Sequence, residues 1–343
     1  MDDALPAHPE KRPLHPAQFD DQLRARLAAL DTASDAHATE QRPDNTTRAY
    51  AADWKTWTTF CETLQIPVTA ATRGTLRMFV DYLWNREHRA YSTIDRKLAG
   101  VAVTLRHPPY EIVVDPKATK AARELLKDYR KQAAEAEEPE RGRGKAPAMR
   151  LADLQHIVSL CGTDIFGLRD RAMLLLGFSI AARRAELAGL RLRNIRDDEN
   201  GLLVHVAVSK TEPRTVPVPY GKNTDTCPVR AWHAWAQAAQ ILEPDRHAFR
   251  RIHHTGKVQP QGLSPQRAGD LITAAGLRAG YEDLFTGHSV RSGLATEARR
   301  AGKDRKAIAA ITGHADGSKV LDGYMRIVDQ WDEKDNALVG LGL

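Results

Sequence analysis

The chain has 343 residues, 42% of them hydrophobic and 27% charged, with a formal net charge of +6. That composition excludes collagen, a disulfide scaffold and wholesale disorder, and the length suits two domains of ordinary size. The excess of Lys and Arg favours a polyanionic partner, and the charge is unevenly spread: residues 1–40 are net acidic, while 41–132 and 148–343 are net basic.

Taken from the start, residues 1–44 mix prolines, acids and small side chains, and predict a mobile tail with at most a short helix near 22–30. From Asn45, a plausible cap, apolar residues fall at Tyr50, Trp54, Trp57, Phe60, Cys61 and Leu64, the spacing of an amphipathic helix whose outer face carries Thr46, Arg48 and Lys55. Helices are predicted over 73–86, 92–106 and 117–135, completing a small, basic, all-helical domain over 45–134. Residues 135–147 (EAEEPERGRGKAP) offer no apolar anchor and read as a linker.

Beyond it, helical patterns recur at 151–161, 168–190, 227–242, 264–279, 289–301 and 305–312. Residues 202–208 and 214–219 alternate around a turn at 210–213, as a β-hairpin does. The fold class expected is therefore mainly α, the second domain being mostly helix with a small β-sheet.

Several active sites leave local signatures that are missing: there is no GxxxxGK[ST], GxGxxG or HExxH. His253 and His254 sit among Arg250, Arg251 and Lys257, a poor setting for a cation, so no metal or cofactor is expected. Three cysteines far apart give no disulfide framework, and no apolar run approaches the roughly 18 residues of a membrane span. A soluble protein of the reducing cytoplasm is expected.

What remains is a scattered set of cations with one tyrosine. In GFSIAARRAELAGLRLRNI, Arg183 and Glu186 lie three apart, so the acid can orient the guanidinium; Arg184 adds a second cation beside it. TGHSVRSG puts His288 and Arg291 at the same spacing at the start of another helix. Lys210 ends the first hairpin strand, and TGHADGSKVLDGYMR sets His314 and Tyr324 ten positions apart. Each element alone has an ordinary structural reading: a surface ion pair, a chance HxxR, a solubilising lysine, a packed tyrosine.

In that order, however, the set resembles the tyrosine recombinase (phage integrase) family, and within it the Cre-type enzymes, over nearly all of 151–326. The resemblance implies Arg183 and Arg291 as the catalytic arginines, Glu186 as support for the first, and Lys210 as general acid. It makes His288 the base or orienter, has His314 donate to the phosphate or position Tyr324, and makes Tyr324 the nucleophile. It further implies a two-domain DNA clamp: a core-binding domain (45–134), a catalytic domain (148–326) and a C-terminal docking segment (327–343). Thr46, Arg48, Lys55, Ser92, Arg96 and Arg267 would face DNA.

The implied partners are double-stranded DNA with a specific target site and further copies of the chain, a dimer per site and a homo-tetramer in the assembly. The place of action would be the nucleoid. A type IB topoisomerase-like relaxing enzyme and a catalytically silent DNA-binding regulator are the alternatives on the same scaffold.

Overall fold

A computed structural model of the chain describes residues 19–40, 44–142, 144–207, 213–282, 284–315, 317–330, 336 and 338. It divides into two compact units, Met1–Gly144 and Lys145–Leu343. The expected cap Asn45 and Lys210 fall where side chains are not described.

The first unit begins with a departure from the sequence reading. In place of a short helix near 22–30, α1 runs over Asp21–Glu40, and Asp20 Oδ1 accepts from the Leu23 amide at 2.7 Å to start it. Six alanines and three leucines in that stretch give enough helix propensity to continue past Leu30 even though most side chains stay exposed.

Four helices build the first core: α2 (Asp44–Thr63), α3 (Arg73–Asp81), α4 (Tyr91–Arg106) and α5 (Pro116–Glu135). The helix expected over 73–86 is α3 followed by a π-helical turn at Tyr82–Arg86. α3 opens with a reciprocal cap in which the Thr72 and Thr75 hydroxyls each accept from the other residue's amide, and α5 starts at Pro116 with Asp115 accepting from the Lys117 amide at 2.9 Å. Trp57, Phe60 and Phe79 meet at ring separations of 5.1–5.6 Å in the centre.

Two charged groups, Asp53 and Lys97, are buried among the described residues of this unit. Asp53 on α2 is fully buried and takes Arg96 and Lys97 from α4, the latter Nζ at 3.3 Å from Oδ1 and also donating to Thr56 Oγ1 at 2.8 Å. Gly100 makes the approach possible, since a Cβ there would lie 2.9 Å from Asp53 Oδ2. The segment expected to be an unanchored linker is also tied down at its middle, because the Arg141 guanidinium lies 4.0 Å over the Trp84 ring and donates to the Trp84 carbonyl. A planar cation can anchor a segment that has no apolar side chain.

The second unit is built around α7 (Ile165–Ser179), buried on most of its circumference, with α6 (Leu151–Ser159), α9 (Pro228–Ala238), α10 (Pro265–Arg278) and α11 (Gly287–Arg300) about it. The hairpin gains a third strand: β1 (Ile195–Asp198), β2 (Gly201–Val206) and β3 (Arg214–Pro219) form an antiparallel sheet in that order, with Val204 opposite both Ile195 and Val216. A second small sheet, β4 (Arg250–Ile252) and β5 (Val258–Gly262), was not expected. Its strands are too short to show alternation, and the exposed His253 and His254 lie in its turn.

The helix expected over 168–190 is broken. α7 ends at Ser179 and α8 (Arg184–Gly189) begins five residues later. Between them Ala181 takes a left-handed backbone (φ 48°), and the Ala182 amide reaches back to the Gly177 carbonyl at 2.8 Å. This is a helix stop of the kind glycine usually makes. With alanine there instead, nothing interrupts the apolar period in the sequence. α12 (Arg305–Thr312) and α13 (Lys319–Asp329) complete the unit; Leu321 and Met325 of α13 pack with Ala295 and Ile308. Among the described residues no helix is long and apolar enough to cross a membrane.

Candidate active site

The broken helix is what places the first arginine. Because the chain turns at Ile180 and Ala181, Arg183 stands in extended conformation at the mouth of α8 instead of on a helix flank. Glu186, one turn on, accepts its backbone amide at 3.0 Å and its Nη1 at 2.5 Å. So the Arg183–Glu186 spacing marks a helix start and not a surface pair.

Glu186 holds a second cation that sequence reasoning missed. Arg214, the first residue of β3, donates from Nη2 to Glu186 Oε2 at 2.9 Å and to the Ile180 carbonyl at 3.1 Å, and from Nε to the Ile311 carbonyl at 2.8 Å. A signal existed: Arg214 shares its strand face with Val216 and Val218, both buried, and a cation in register with a buried face needs an internal partner. Burial alone would raise the Glu186 carboxyl, but the hydrogen bond from Arg214, the Arg183 amide and the charges of both arginines outweigh it and bring it to about 2.

Arg291 lies deeper, 1% exposed, on the second turn of α11. Its Nη1 donates to the Ala181 carbonyl at 2.8 Å, the same turn that positions Arg183, and its Nη2 faces His314 Nε2 at 3.4 Å. A guanidinium can only donate, so His314 Nε2 is the acceptor and the ring proton sits on Nδ1, 2.8 Å from Thr312 Oγ1. Thr312 Oγ1 in turn donates to the Ile308 carbonyl at 2.8 Å. Burial first, then Arg291 and Arg183, bring His314 to about 4, so it is neutral. Both ring nitrogens are thus engaged, Nε2 by Arg291 and Nδ1 by Thr312, while the ring, expected either to donate to the phosphate or to position Tyr324, stands beside Tyr324. Burial and the neighbouring Arg183 also lower Arg291, to about 10, which leaves it charged.

The tyrosine arrives from the last described helix. Ser318 caps α13, Arg305 pairs with Asp322 at 3.0 Å, and the buried Leu321 and Met325 fix the helix face. Tyr324 is thereby only half-buried, and its hydroxyl lies 2.5 Å from His288 Nε2 in the same chain. Its ring centroid is 6.0 Å from that of His288 and 6.1 Å from that of His314. Burial raises the phenol although Arg291 and Arg183 oppose the rise, while burial, Arg291 and Arg183 lower His288. At neutral pH, then, both groups are neutral, and in the tautomer whose Nε2 is bare His288 accepts the Tyr324 hydroxyl proton.

Around that phenol the described residues place three guanidinium groups (Arg183, Arg214, Arg291), one carboxylate and two neutral histidines. Such an excess of fixed positive charge suits an anion carrying more than one negative oxygen. Among the described residues no group of three or more His, Cys, Asp or Glu is placed to hold a metal ion. Arg184 is exposed; its stem runs against Gly269 and Gly287, where added Cβ atoms would come within 2.7 and 2.2 Å of it, and its Nη1 reaches Gln266 Oε1 at 3.3 Å.

Thr46, Arg48 and Lys55 stand along α2 and Ser92 on α4 of the first unit, with Arg48, Lys55 and Ser92 exposed; Arg267 is exposed near the start of α10 in the second. Arg96 departs from the expectation, since its guanidinium is drawn to Asp53 and to the Ala49 carbonyl, although 44% of its side chain remains exposed. Lys210 lies outside the described residues.

Comparison with known proteins agrees with this geometry. Residues 148–330 match the phage integrase family model. The chain is 26% identical over 305 residues to an integrase/recombinase xerD homolog of Selenomonas ruminantium, covering 87% of this chain and 86% of that one. A tyrosine recombinase XerD of Listeria monocytogenes is 26% identical over 186 residues, 52% of this chain and 58% of that one. In fold, a crystal structure of a lambda integrase dimer bound to a COC' core site superposes with a TM-score of 0.57 at 14% identity, over 86% of this chain and 93% of that one. These relatives carry Xer and lambda names, where the sequence reading leaned to Cre. With more than half its length matched and the cluster of arginines, histidines and tyrosine assembled in one unit, the chain belongs to the phage integrase family, the tyrosine recombinases.

Proposed function

We propose that the chain is a site-specific DNA recombinase that cuts and rejoins strands through a 3′-phosphotyrosyl link. The observation that carries this reading is the 2.5 Å contact between the Tyr324 hydroxyl and His288 Nε2 beside Arg183 and Arg291.

The steps follow from the groups present. Tyr324 Oη attacks the phosphorus of the scissile diester while its proton passes to His288 Nε2. The P–Oη bond forms and the P–O5′ bond breaks. In the five-coordinate transition state the non-bridging oxygens gain negative charge, which Arg183 and Arg291 meet with donors that do not deprotonate. His314 keeps Arg291 in place. The departing 5′ oxygen takes a proton, a role for Lys210 at the hairpin. Because the phosphotyrosyl ester retains the energy of the broken bond, a 5′ hydroxyl from another strand can reverse the step without a nucleotide cofactor.

The partly buried Thr46 and the exposed Arg48, Lys55, Ser92 and Arg267 are the DNA contacts in this reading, with Arg96 contributing what its pairing with Asp53 leaves accessible. Exchange between two duplexes needs four such centres, hence a homo-tetramer with a dimer on each site, docked through 327–343, and a place of action on the nucleoid in the cytoplasm.

The test is direct. On a nicked duplex carrying a site selected from a random DNA library, the protein should become covalently attached, and Tyr324→Phe should bind with unchanged affinity and never attach. Attachment by the Phe variant removes Tyr324 from its role, and relaxation of supercoiled DNA without site preference favours the topoisomerase-like alternative.

A further inference from the structure

Arg214 reaches three of the pieces carrying the reactive groups. From the base of β3 it grips Glu186, which holds Arg183; the Ile180 carbonyl, next to the Ala181 carbonyl that holds Arg291; and the Ile311 carbonyl, three residues before His314. Its side chain is 8% exposed. The chain accommodates it at some cost in freedom. Gly313 takes a left-handed backbone (φ 63°) directly against the Arg214 stem, where an added Cβ would come within 3.1 Å of Cδ.

An internal counter-ion for Glu186 alone would need only one donor. Arg183 already supplies a charge to that carboxylate, so neutralisation does not account for a second guanidinium with bonds to two further carbonyls. A planar fork with donors at Nε, Nη1 and Nη2 spreads its bonds over three nitrogens in fixed directions, whereas an ammonium has three donors on a single nitrogen at the end of a flexible stem. We propose that Arg214 is a positioning residue for phosphoryl transfer, setting Arg183 through Glu186 and setting Arg291 through the 180–181 turn and the His314 loop. The proposal rests on the reading of this site as a DNA cleavage centre.

If Arg214 works by aiming the two arginines at the non-bridging oxygens, its loss matters only in proportion to the charge on those oxygens. The test uses the full-length chain, single-turnover attachment and saturating nicked duplex in two forms: one with the ordinary phosphodiester, and one in which a methylphosphonate replaces a charged non-bridging oxygen with a methyl group. Arg214→Lys keeps a cation beside Glu186 but not the fork. Its attachment to the phosphodiester should slow by about 30–100-fold with affinity for DNA within about threefold, the size of effect expected when reacting groups are misplaced. On the methylphosphonate it should stay within about threefold of the wild-type rate on that same substrate.

A merely structural role would depress both substrates by the same factor, and that result overturns the proposal, as does an unaltered rate on the phosphodiester. Arg214→Gln should show the same substrate dependence at larger amplitude. Should Gln fail to give a cooperative melt, the Lys variant carries the test alone. The wild-type arm separates the two layers: no attachment by wild type on its selected site defeats the cleavage reading and takes this proposal with it, whereas attachment with a substrate-independent Lys defect defeats this proposal only.

Discussion

Asp53 in the first unit and Glu186 in the second are both carboxylates shut away from water and held by two cations each. Around Asp53 the cations come from one neighbouring helix, and the cluster locks α4 to α2. Around Glu186 they come from a helix start and a strand, and one of them, Arg183, keeps about a quarter of its side chain in contact with solvent. The same local chemistry thus ties two helices together at Asp53 and, at Glu186, holds a cation whose charge is felt by His288 and Tyr324. A cation's value to a ligand is set by how many of its donors the fold has already engaged.

The largest effect that would break this comparison is on Glu186. Replacing it with Gln leaves two arginines beside a neutral amide, in a place where removing one member of a buried pair typically costs about 3–5 kcal/mol. Attachment to a saturating nicked duplex should fall by about 10²–10³-fold, the range seen when one transition-state donor is lost. Asp53→Asn should cost similar stability in a thermal melt yet leave the attachment rate at saturating DNA within a fewfold of wild type. Equal rate losses in both variants would show that the two clusters are not functionally distinct.

Acid should separate the clusters further. The Glu186 carboxyl is held at about 2 in the folded chain against an ordinary value of 4.5, so its contribution is complete above about pH 5 and is lost as the pH falls toward 2. That difference corresponds to about 3 kcal/mol. The stability gap between wild type and Glu186→Gln, measured by denaturant titration, should be flat at neutral pH and narrow on acidification. A gap independent of pH down to 3 would mean that the carboxylate is not held by its arginines in solution.

His288 sharpens the same point through rate. Burial first, then Arg291, Arg183 and Arg184, push it below the ordinary histidine value of 6.5, so the base form persists into mildly acid solution. Single-turnover attachment should therefore keep its rate from pH 8 down through 6.5 and decline only below that, and His288→Ala should remove the decline along with most of the rate. A midpoint above 6.5 would assign the proton acceptor elsewhere.

Much of this was legible in the residues. The apolar spacing of Trp54, Trp57, Phe60 and Cys61 gave α2 and the core of its unit, and the alternation at Val216 and Val218 gave β3. The order of Arg183, His288, Arg291, His314 and Tyr324 gave the site. What stayed hidden has physical reasons. The stop at Ala181 uses a left-handed alanine, so no glycine marks it; Arg214 finds its partners 28 and 97 positions away; and the Arg96 pairing is made across 43 residues. Local patterns report which face of an element is apolar. They do not report which buried charge meets which, because that depends on contacts between elements.

The smallest expected effect lies on the open face of the first unit, where Lys55 is exposed on α2 and Arg96 is half tied to Asp53. If Lys55 meets a phosphate, Lys55→Ala should weaken DNA binding evenly across sequences and reduce the slope of log affinity against log salt by about 1. Arg96→Ala should reduce it by less, because the guanidinium that Asp53 already neutralises releases fewer counterions, and should also lower the melting temperature, which Lys55→Ala should not. Both quantities come from binding isotherms at several salt concentrations and a thermal melt of each variant. A full unit of slope lost with Arg96 would show that the Asp53 pairing opens on DNA.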